Sequence, residues 1–227
     1  MADPIAYEAP TINKAWTAFI PHVPTILLIW VATIAISAVG VFVYFLFSLL
    51  GLAVAGGPEV DTAASIGLVL GQVGPLPFSI LSSLVGVLLV AVPALHYSTG
   101  ETIAPRQAFK TLLERPKRYF LAGLLFALTS AIGLLLCVLP GIAVALVAPV
   151  YVNKIFNGDA TVIEAFTSSF QAVYKSPDGL SFVGLQVIVW AVTVVVSLCT
   201  CGLGALVAVP VSSFYLQNAV YYKGLVR

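Results

Sequence analysis

Hydrophobic and charged positions are sharply segregated along the chain. Four long stretches contain no Asp, Glu, Lys or Arg: residues 15–58, 62–100, 119–153 and 179–222. All the charged residues lie in the short segments before, between and after them. Because an ionised side chain is costly in the hydrocarbon core of a bilayer, this pattern is typical of a polytopic membrane protein with helical spans. The predicted fold class is therefore all-α.

The first two stretches each predict one membrane span. A bilayer core about 30 Å thick needs roughly 20 helical residues. The first span is predicted at residues 25–52. The second is predicted at 78–95, after a break at residues 74–77 (Gly-Pro-Leu-Pro). Residues 56–61, with two glycines, a proline and two acidic residues, form the predicted loop between these spans.

The last two stretches each predict a helical hairpin. One helix over 119–153 would be about 50 Å long at 1.5 Å per residue, too long for a single span. Pro140-Gly141 is a turn signal in this stretch, and the Cys- and Gly-rich segment 199–204 is one in the next. The four predicted helices cover residues 119–138, 142–156, 180–198 and 205–222.

The distribution of cations predicts the topology. Six spans arranged as three hairpins place both termini, and all ten Lys and Arg residues, on the cytoplasmic side. The opposite loops then carry only Glu59 and Asp61. No basic segment precedes the first span, so we expect that span to be retained rather than cleaved as a signal peptide.

A sequence motif recurs before alternate spans. Residues 11–16, 104–109 and 161–166 each read as a small residue, three mixed residues, an alanine and an aromatic residue. Each motif opens a predicted cytoplasmic surface helix that two spans follow. The second span of each pair carries a proline in an apolar context: Pro93, Pro149 and Pro210. One integral membrane domain, 1–227, with a threefold repeat over 11–100, 104–157 and 161–225 is predicted; the alternative is chance recurrence in an apolar chain.

The second predicted surface helix is amphipathic. Its apolar positions, Ile103, Phe109, Leu112 and Leu113, are expected to face lipid or the bundle. Five cations are expected to contact anionic headgroups or an acidic partner, each worth about 1 kcal/mol near the surface. These cations are Arg106, Lys110, Arg115, Lys117 and Arg118.

Composition excludes a soluble globule. Hydrophobic residues make up 60% of the chain and charged residues only 8%, against roughly 25% charged in soluble domains. The net charge of +1 is spread over loops and forms no basic face, so nucleic acid is not an expected partner. We expect the protein to be located in the cell membrane, either a bacterial inner membrane or another energy-transducing membrane.

No motif for catalysis appears in the sequence. There is no Ser-His-Asp set, phosphate loop, CxxC or HExxH, and we predict neither an enzyme nor a bound cofactor or metal. His22 and His96 are interpreted as interfacial residues bonded to headgroups or backbone, the alternative being a pigment or metal ligand. Gln186 and Gln217 are the main polar candidates within spans; Gln217, with Asn218, is interpreted as a helix-end contact rather than a substrate site.

Three cysteines map to the outer ends of the third and fifth spans. In an oxidising compartment, Cys137 could pair with Cys199 or Cys201. The alternative is that all three pack as small apolar residues.

Residues from the turn before the predicted fourth span to the surface helix after it resemble a known group of proteins. The residues concerned are Pro140-Gly141, the apolar run to Pro149, Asn153, Gly158-Asp159, and Glu164-Ala165-Phe166 with Ser168-Ser169. This order resembles a broad group of bacterial six-helix membrane proteins that includes the YciC-like inner-membrane proteins and the membrane domain of some glycerophosphodiester phosphodiesterases. Phe166 and Thr167 stand where that group has a basic residue. The resemblance implies a membrane scaffold or anchor and supplies no active site.

Two functions follow as hypotheses. The first is a non-catalytic scaffold, anchor or accessory subunit of a membrane complex, in contact with membrane lipids and other membrane-protein subunits. The alternative is a transporter or channel for a lipid or small apolar solute, which would use the proline-bearing helices as a path. A polar cavity reaching mid-membrane favours the alternative, and a tightly packed bundle favours the scaffold.

Overall fold

The computed structural model describes residues 4–54 and 69–226, and the regular structure of these residues is entirely helical. A short 3-10 helix covers Pro4–Tyr7. The α-helices are α1 (Ile12–Val54), α2 (Leu76–Gly86), α3 (Leu88–Thr99), α4 (Pro105–Glu114), α5 (Pro116–Leu136), α6 (Val138–Asn157), α7 (Val162–Tyr174), α8 (Pro177–Cys199) and α9 (Ala205–Tyr222). The predicted loop at 56–61 lies outside the described residues.

The chain is a multi-pass membrane protein. Within the described residues, five helical segments are long and apolar enough to cross a bilayer. They are Ile12–Gly51, Val69–Thr99, Pro116–Leu136, Val138–Asn157 and Pro177–Cys199. The predicted sixth span coincides with α9, which is less apolar because Gln217, Asn218 and several tyrosines lie in its second half. That α9 crosses the membrane stays a prediction.

The first surface helix was predicted as a separate element, and this is wrong. Helix α1 runs without interruption from Ile12 to Val54, so the first motif opens the spanning helix itself. Thr11 caps its start, where the Lys14 backbone N–H donates to Thr11 Oγ1 at 3.2 Å. Pro21 and Pro24 lie between the motif and the predicted span, but both are inside α1 and neither ends the helix.

One predicted break lies elsewhere in the structure, and the other lies where the sequence predicts it but follows an earlier helical segment. Helices α5 and α6 are separated at Cys137, whose backbone is extended (φ −172°, ψ 150°). Pro140 and Gly141 belong to the start of α6, where a proline is tolerated because its missing N–H has no helical partner. Residues 74–75 form a turn as predicted, but the chain is already helical from residue 69, not from 78.

Packing divides the chain into two compact units, one of which is Leu28–Gly86. In this unit the second half of α1 packs antiparallel to residues 69–86. Ser37 and Ser82 hydroxyls hydrogen bond at 2.8 Å, and Gly40 lies against Phe78. Gly74 lies against the ring of Phe47. Small and hydroxyl residues at the contact allow the close approach that helices in lipid use.

The other unit comprises Met1–Leu27 and Val87–Arg227. Its centre is formed by α3, α6 and α9, which pack pairwise. Pro93, Pro149 and Pro210 are all buried within these helices. Helices α5 and α8 present large apolar side chains outward, among them Leu135, which is 87% exposed, and Trp190, which is 64% exposed. Such surfaces suit a hydrocarbon environment.

The three motifs occupy equivalent local positions. In each, the alanine N–H bonds to the carbonyl of the first motif residue, at 2.8–3.1 Å. Ala15, Ala108 and Ala165 are all fully or almost fully buried, while Trp16 is largely exposed. Each motif therefore starts a helix and turns its alanine inward; the threefold repeat itself remains a prediction.

Two glycines of α8 provide a matched test of this packing. A Cβ on Gly179 would overlap the carbonyl groups of Ala172 and Val173 on α7, whereas one on Gly184 would meet open space. We expect Gly179→Ala to destabilise the protein by about 1–3 kcal/mol through overpacking. Gly184→Ala should be neutral or stabilising by up to about 1 kcal/mol, since alanine is the better helix former. Thermal unfolding in detergent measures both, and equal melting temperatures would contradict the α7–α8 contact.

Candidate functional site

A buried amide pair joins α6 and α9. Gln217 is completely buried, and its Nε2 donates to the carbonyl of Pro149 at 2.9 Å. Its Oε1 accepts from Asn153 Nδ2 at 2.8 Å. A buried amide without partners is costly, so this pairing fixes which faces of the two helices meet. Gln217 is therefore an interhelical contact in the core rather than the helix-end contact predicted from the sequence.

Asn157 extends the same network to α3. Its Nδ2 donates to the carbonyl of Ala94 at 3.1 Å and to Asn153 Oδ1 at 3.3 Å. Its Oδ1 accepts from the Ser98 hydroxyl at 3.0 Å. The Tyr221 hydroxyl donates to Asn153 Oδ1 at 3.3 Å. The amide network, defined as Asn153, Asn157, Gln217 and Tyr221, thus ties the C-terminal ends of all three central helices together.

A cavity of about 680 Å³ opens over this network. Its lining comprises Tyr7, Ser98, Asn153, Lys154, Asn157, Gly158, Asp159, Ala160, Ser168, Tyr221, Gly224 and Val226. Most of these residues bring a hydroxyl, an amide or a charge. Lys154 Nζ donates to the Ser168 hydroxyl of α7 at 3.1 Å. The cavity is therefore a polar site at one end of an apolar bundle.

The central helices are closed beneath the network. Val92, Val147, Val150 and Phe214 have no exposed surface. These apolar side chains come from all three central helices. The cavity therefore does not continue through this part of the bundle.

His22 is buried against the backbone, as one of the two sequence interpretations has it. Its Nδ1–H donates to the carbonyl of Ala18 at 2.7 Å, and its Nε2 accepts the Ile103 N–H at 3.0 Å. Both ring nitrogens are thereby satisfied in a neutral ring. The His96 ring lies 4.8 Å from the His22 ring, and both contact Phe214. No sequence pattern predicts this contact, because the residues are 74 positions apart.

Two of the five predicted headgroup-binding cations make contacts within the chain. Arg118 donates to the carbonyls of Ile155 and Gly158, at 3.2 and 2.8 Å, and so caps the end of α6. Arg115 Nη1 donates to Asp159 Oδ1 at 2.7 Å, which lowers the pKa of that carboxyl below its ordinary value. Both arginines therefore hold the segment between α6 and α7.

The other three cations are exposed on or next to α4. Lys110 lies 3.9 Å from Glu114, while Arg106 and Lys117 form no ion pair within the described part of the chain. Of the predicted apolar positions, Ile103 and Leu112 are buried and Leu113 is 74% exposed. That the five cations contact headgroups or an acidic partner stays a prediction.

The remaining polar candidates have defined places. Gln186 donates to the carbonyl of Leu146 at 2.8 Å, joining α8 to α6. Asn218 donates to the carbonyl of Ala6 at 2.9 Å and holds the N-terminal segment. Cys137, Cys199 and Cys201 are free and exposed, and the structure forms no disulfide between them.

Comparison with known proteins does not assign this chain to a family. No family model, curated protein or solved structure matches it. Among residues 4–54 and 69–226, no group of three or more His, Cys, Asp or Glu side chains could hold a metal ion. The candidate functional site is therefore the amide network together with the cavity above it.

Removing one member of the Asn153–Gln217 pair should expose its energetic role. Asn153→Leu and Gln217→Leu each leave a buried partner unsatisfied, and we expect each to lose about 1–3 kcal/mol of stability. The double variant should lose clearly less than the sum, because both unsatisfied groups disappear together. Unfolding in detergent measures the cycle, with exposed Gln171→Leu as the surface control. Strict additivity would mean that the pair is not coupled.

Acid should weaken the segment between α6 and α7. The folded-state pKa values of Asp159 and Glu164 are lowered, by hydrogen bonds from Arg115 and from Thr161 respectively. Their stabilising contribution is present above the unfolded pKa, about 4, and is lost as the pH falls through the folded values. Asp159→Asn should therefore flatten the fall in melting temperature below pH of about 4. Glu101→Gln is the control and should leave the acid limb unchanged; an unchanged limb in Asp159→Asn would contradict the ion pair's role.

Proposed function

We propose that this protein is a non-catalytic integral membrane protein that acts as a scaffold, anchor or accessory subunit within a membrane complex. It would hold its partners through contacts in the plane of the membrane. Six spans as three repeated hairpins, with both termini on the cytoplasmic side of a bacterial inner or other energy-transducing membrane, form part of the same proposal. So does membership of the six-helix group that the α6–α7 region resembles.

One observation carries the proposal: side chains between the central helices are fully buried, whereas α5 and α8 expose large apolar side chains. Val147, Val150 and Phe214 have no exposure, and Gln217 is locked between α6 and α9. In contrast, α5 and α8 present long rows of exposed apolar side chains. A bundle with a tightly packed apolar centre and exposed apolar outer helices suits lateral contacts within the membrane better than passage of a solute.

The transporter alternative finds less support. It needs a path along the proline-bearing helices, but Pro93, Pro149 and Pro210 are buried in packed contacts. The cavity stops at the amide network, because the fully buried Val147, Val150 and Phe214 close the central helices beneath it, and so it offers no path to mid-membrane. The four sequence stretches that predict the spans contain no Asp or Glu. They therefore lack the carboxylates that could couple transport to protons or ions.

Intact-complex mass spectrometry tests the proposal. The protein is purified in mild detergent at native expression level, and we expect stoichiometric co-purifying membrane proteins. A lone monomer or homo-oligomer that carries only lipid would favour the transporter alternative.

Photo-cross-linking identifies the face that the partner uses. A cross-linking residue replaces Trp190 on α8 or Leu135 on α5, both directed outward. We expect a discrete protein adduct from one of these positions. The matched control is the exposed Lys175, which lies between α7 and α8 and outside the candidate spans. Adducts to lipid alone at both membrane positions would oppose a scaffold role.

A further inference from the structure

Lys154 is a half-buried cation without an anionic partner among the residues that the structure describes. It lies in the last turn of α6, and its Nζ donates to the neutral Ser168 hydroxyl at 3.1 Å. The ion pairs of the described residues all involve other cations. A partly desolvated ammonium without a counter-ion is costly, so its surroundings favour the arrival of an anion.

The cavity beside Lys154 can accommodate such an anion. Its volume of about 680 Å³ falls in the range of about 300–1,000 Å³ that is usual for small-molecule sites. Ser98, Ser168 and Tyr221 also line it. Their hydroxyls already donate within the protein, so Lys154 Nζ is the donor that an anion would use. Among the described lining residues, Asp159 is the one carboxylate, and Arg115 already pairs with it at 2.7 Å. Lys154 is therefore the unbalanced charge of the site.

The position of the cavity narrows the choice of anion. Two candidate spans end at Thr99 and Asn157, and both Ser98 and Asn157 line the cavity. The cavity thus lies where the hydrocarbon core gives way to the headgroup region. Phosphate groups are concentrated at this depth, and lysine binds phosphate as a compact point charge.

We propose that this cavity binds a phosphate mono- or diester whose phosphate pairs with Lys154 Nζ. The group is shared by phospholipid headgroups and small soluble phosphates, and the binding assay separates the two sources. The site stands apart from the scaffold role, because it needs no partner protein and uses none of the outer faces of α5 and α8.

Native mass spectrometry of the delipidated full-length protein tests the site. The probes are phosphatidylglycerol, a diacylglycerol with the same chains but no phosphate, and glycerol 3-phosphate. We expect phosphatidylglycerol to bind at least about tenfold more tightly than diacylglycerol. Lys154→Gln should weaken phosphate binding by about tenfold or more, and Lys154→Arg should restore most of it.

Two further variants keep the test decisive. Lys175→Gln removes an exposed cation outside the cavity lining and should leave binding unchanged. Ala160→Trp fills the cavity without changing any charge and should abolish binding, even if Lys154→Gln proves unstable. Thermal unfolding of each variant confirms that it is folded.

The outcomes separate cleanly. Lys154-dependent binding of phosphatidylglycerol alone identifies a lipid headgroup, and Lys154-dependent binding of glycerol 3-phosphate alone identifies a soluble ligand. Binding of both supports a site open to either source. No phosphate binding, equal binding of diacylglycerol, or binding unaffected by both Lys154→Gln and Ala160→Trp would overturn the proposal.

Discussion

The need to satisfy buried polar groups determines how the central helices of this protein meet. Apolar faces alone would let α3, α6 and α9 rotate against one another at little cost, since lipid and core are equally apolar. Gln217 removes that freedom, because its amide must bond to Asn153 and to the Pro149 carbonyl at one rotation of each helix. Asn157 then adds α3 through Ala94 and Ser98.

The same requirement decides what the charged residues near the helix ends do. The last carbonyls of α6 lack helical partners, and the guanidinium of Arg118 satisfies two carbonyls at this end of the helix. Arg115 is held by Asp159. Lys154 differs from both, because its partner is a hydroxyl and no described residue supplies a counter-ion. This difference is the basis for proposing an anion site in the adjacent cavity.

The fold combines buried contacts between its central helices with exposed apolar side chains on its outer helices. Pro93, Pro149 and Pro210 are buried within α3, α6 and α9, and large apolar side chains of α5 and α8 are exposed. The motif alanines Ala15, Ala108 and Ala165 are buried at the start of each group, which is the arrangement a threefold repeat would produce. A repeated unit would also explain why the C-terminal ends of α3, α6 and α9 converge on one site.

The sequence by itself determined the all-α class, the apolar segments and the bounds of α9, because charge segregation and turn residues act locally. It misplaced the break between α5 and α6, since Pro140 fits the first turn of a helix as well as it fits a turn. Only the tertiary structure decided the contacts between Gln217 and Asn153 and between His22 and His96. In soluble helices an apolar stripe reveals the core face, but here lipid-facing and core-facing positions are both apolar. The sequence therefore does not predict the rotation of each helix about its axis. The site depends on that rotation, because it decides which polar side chains meet.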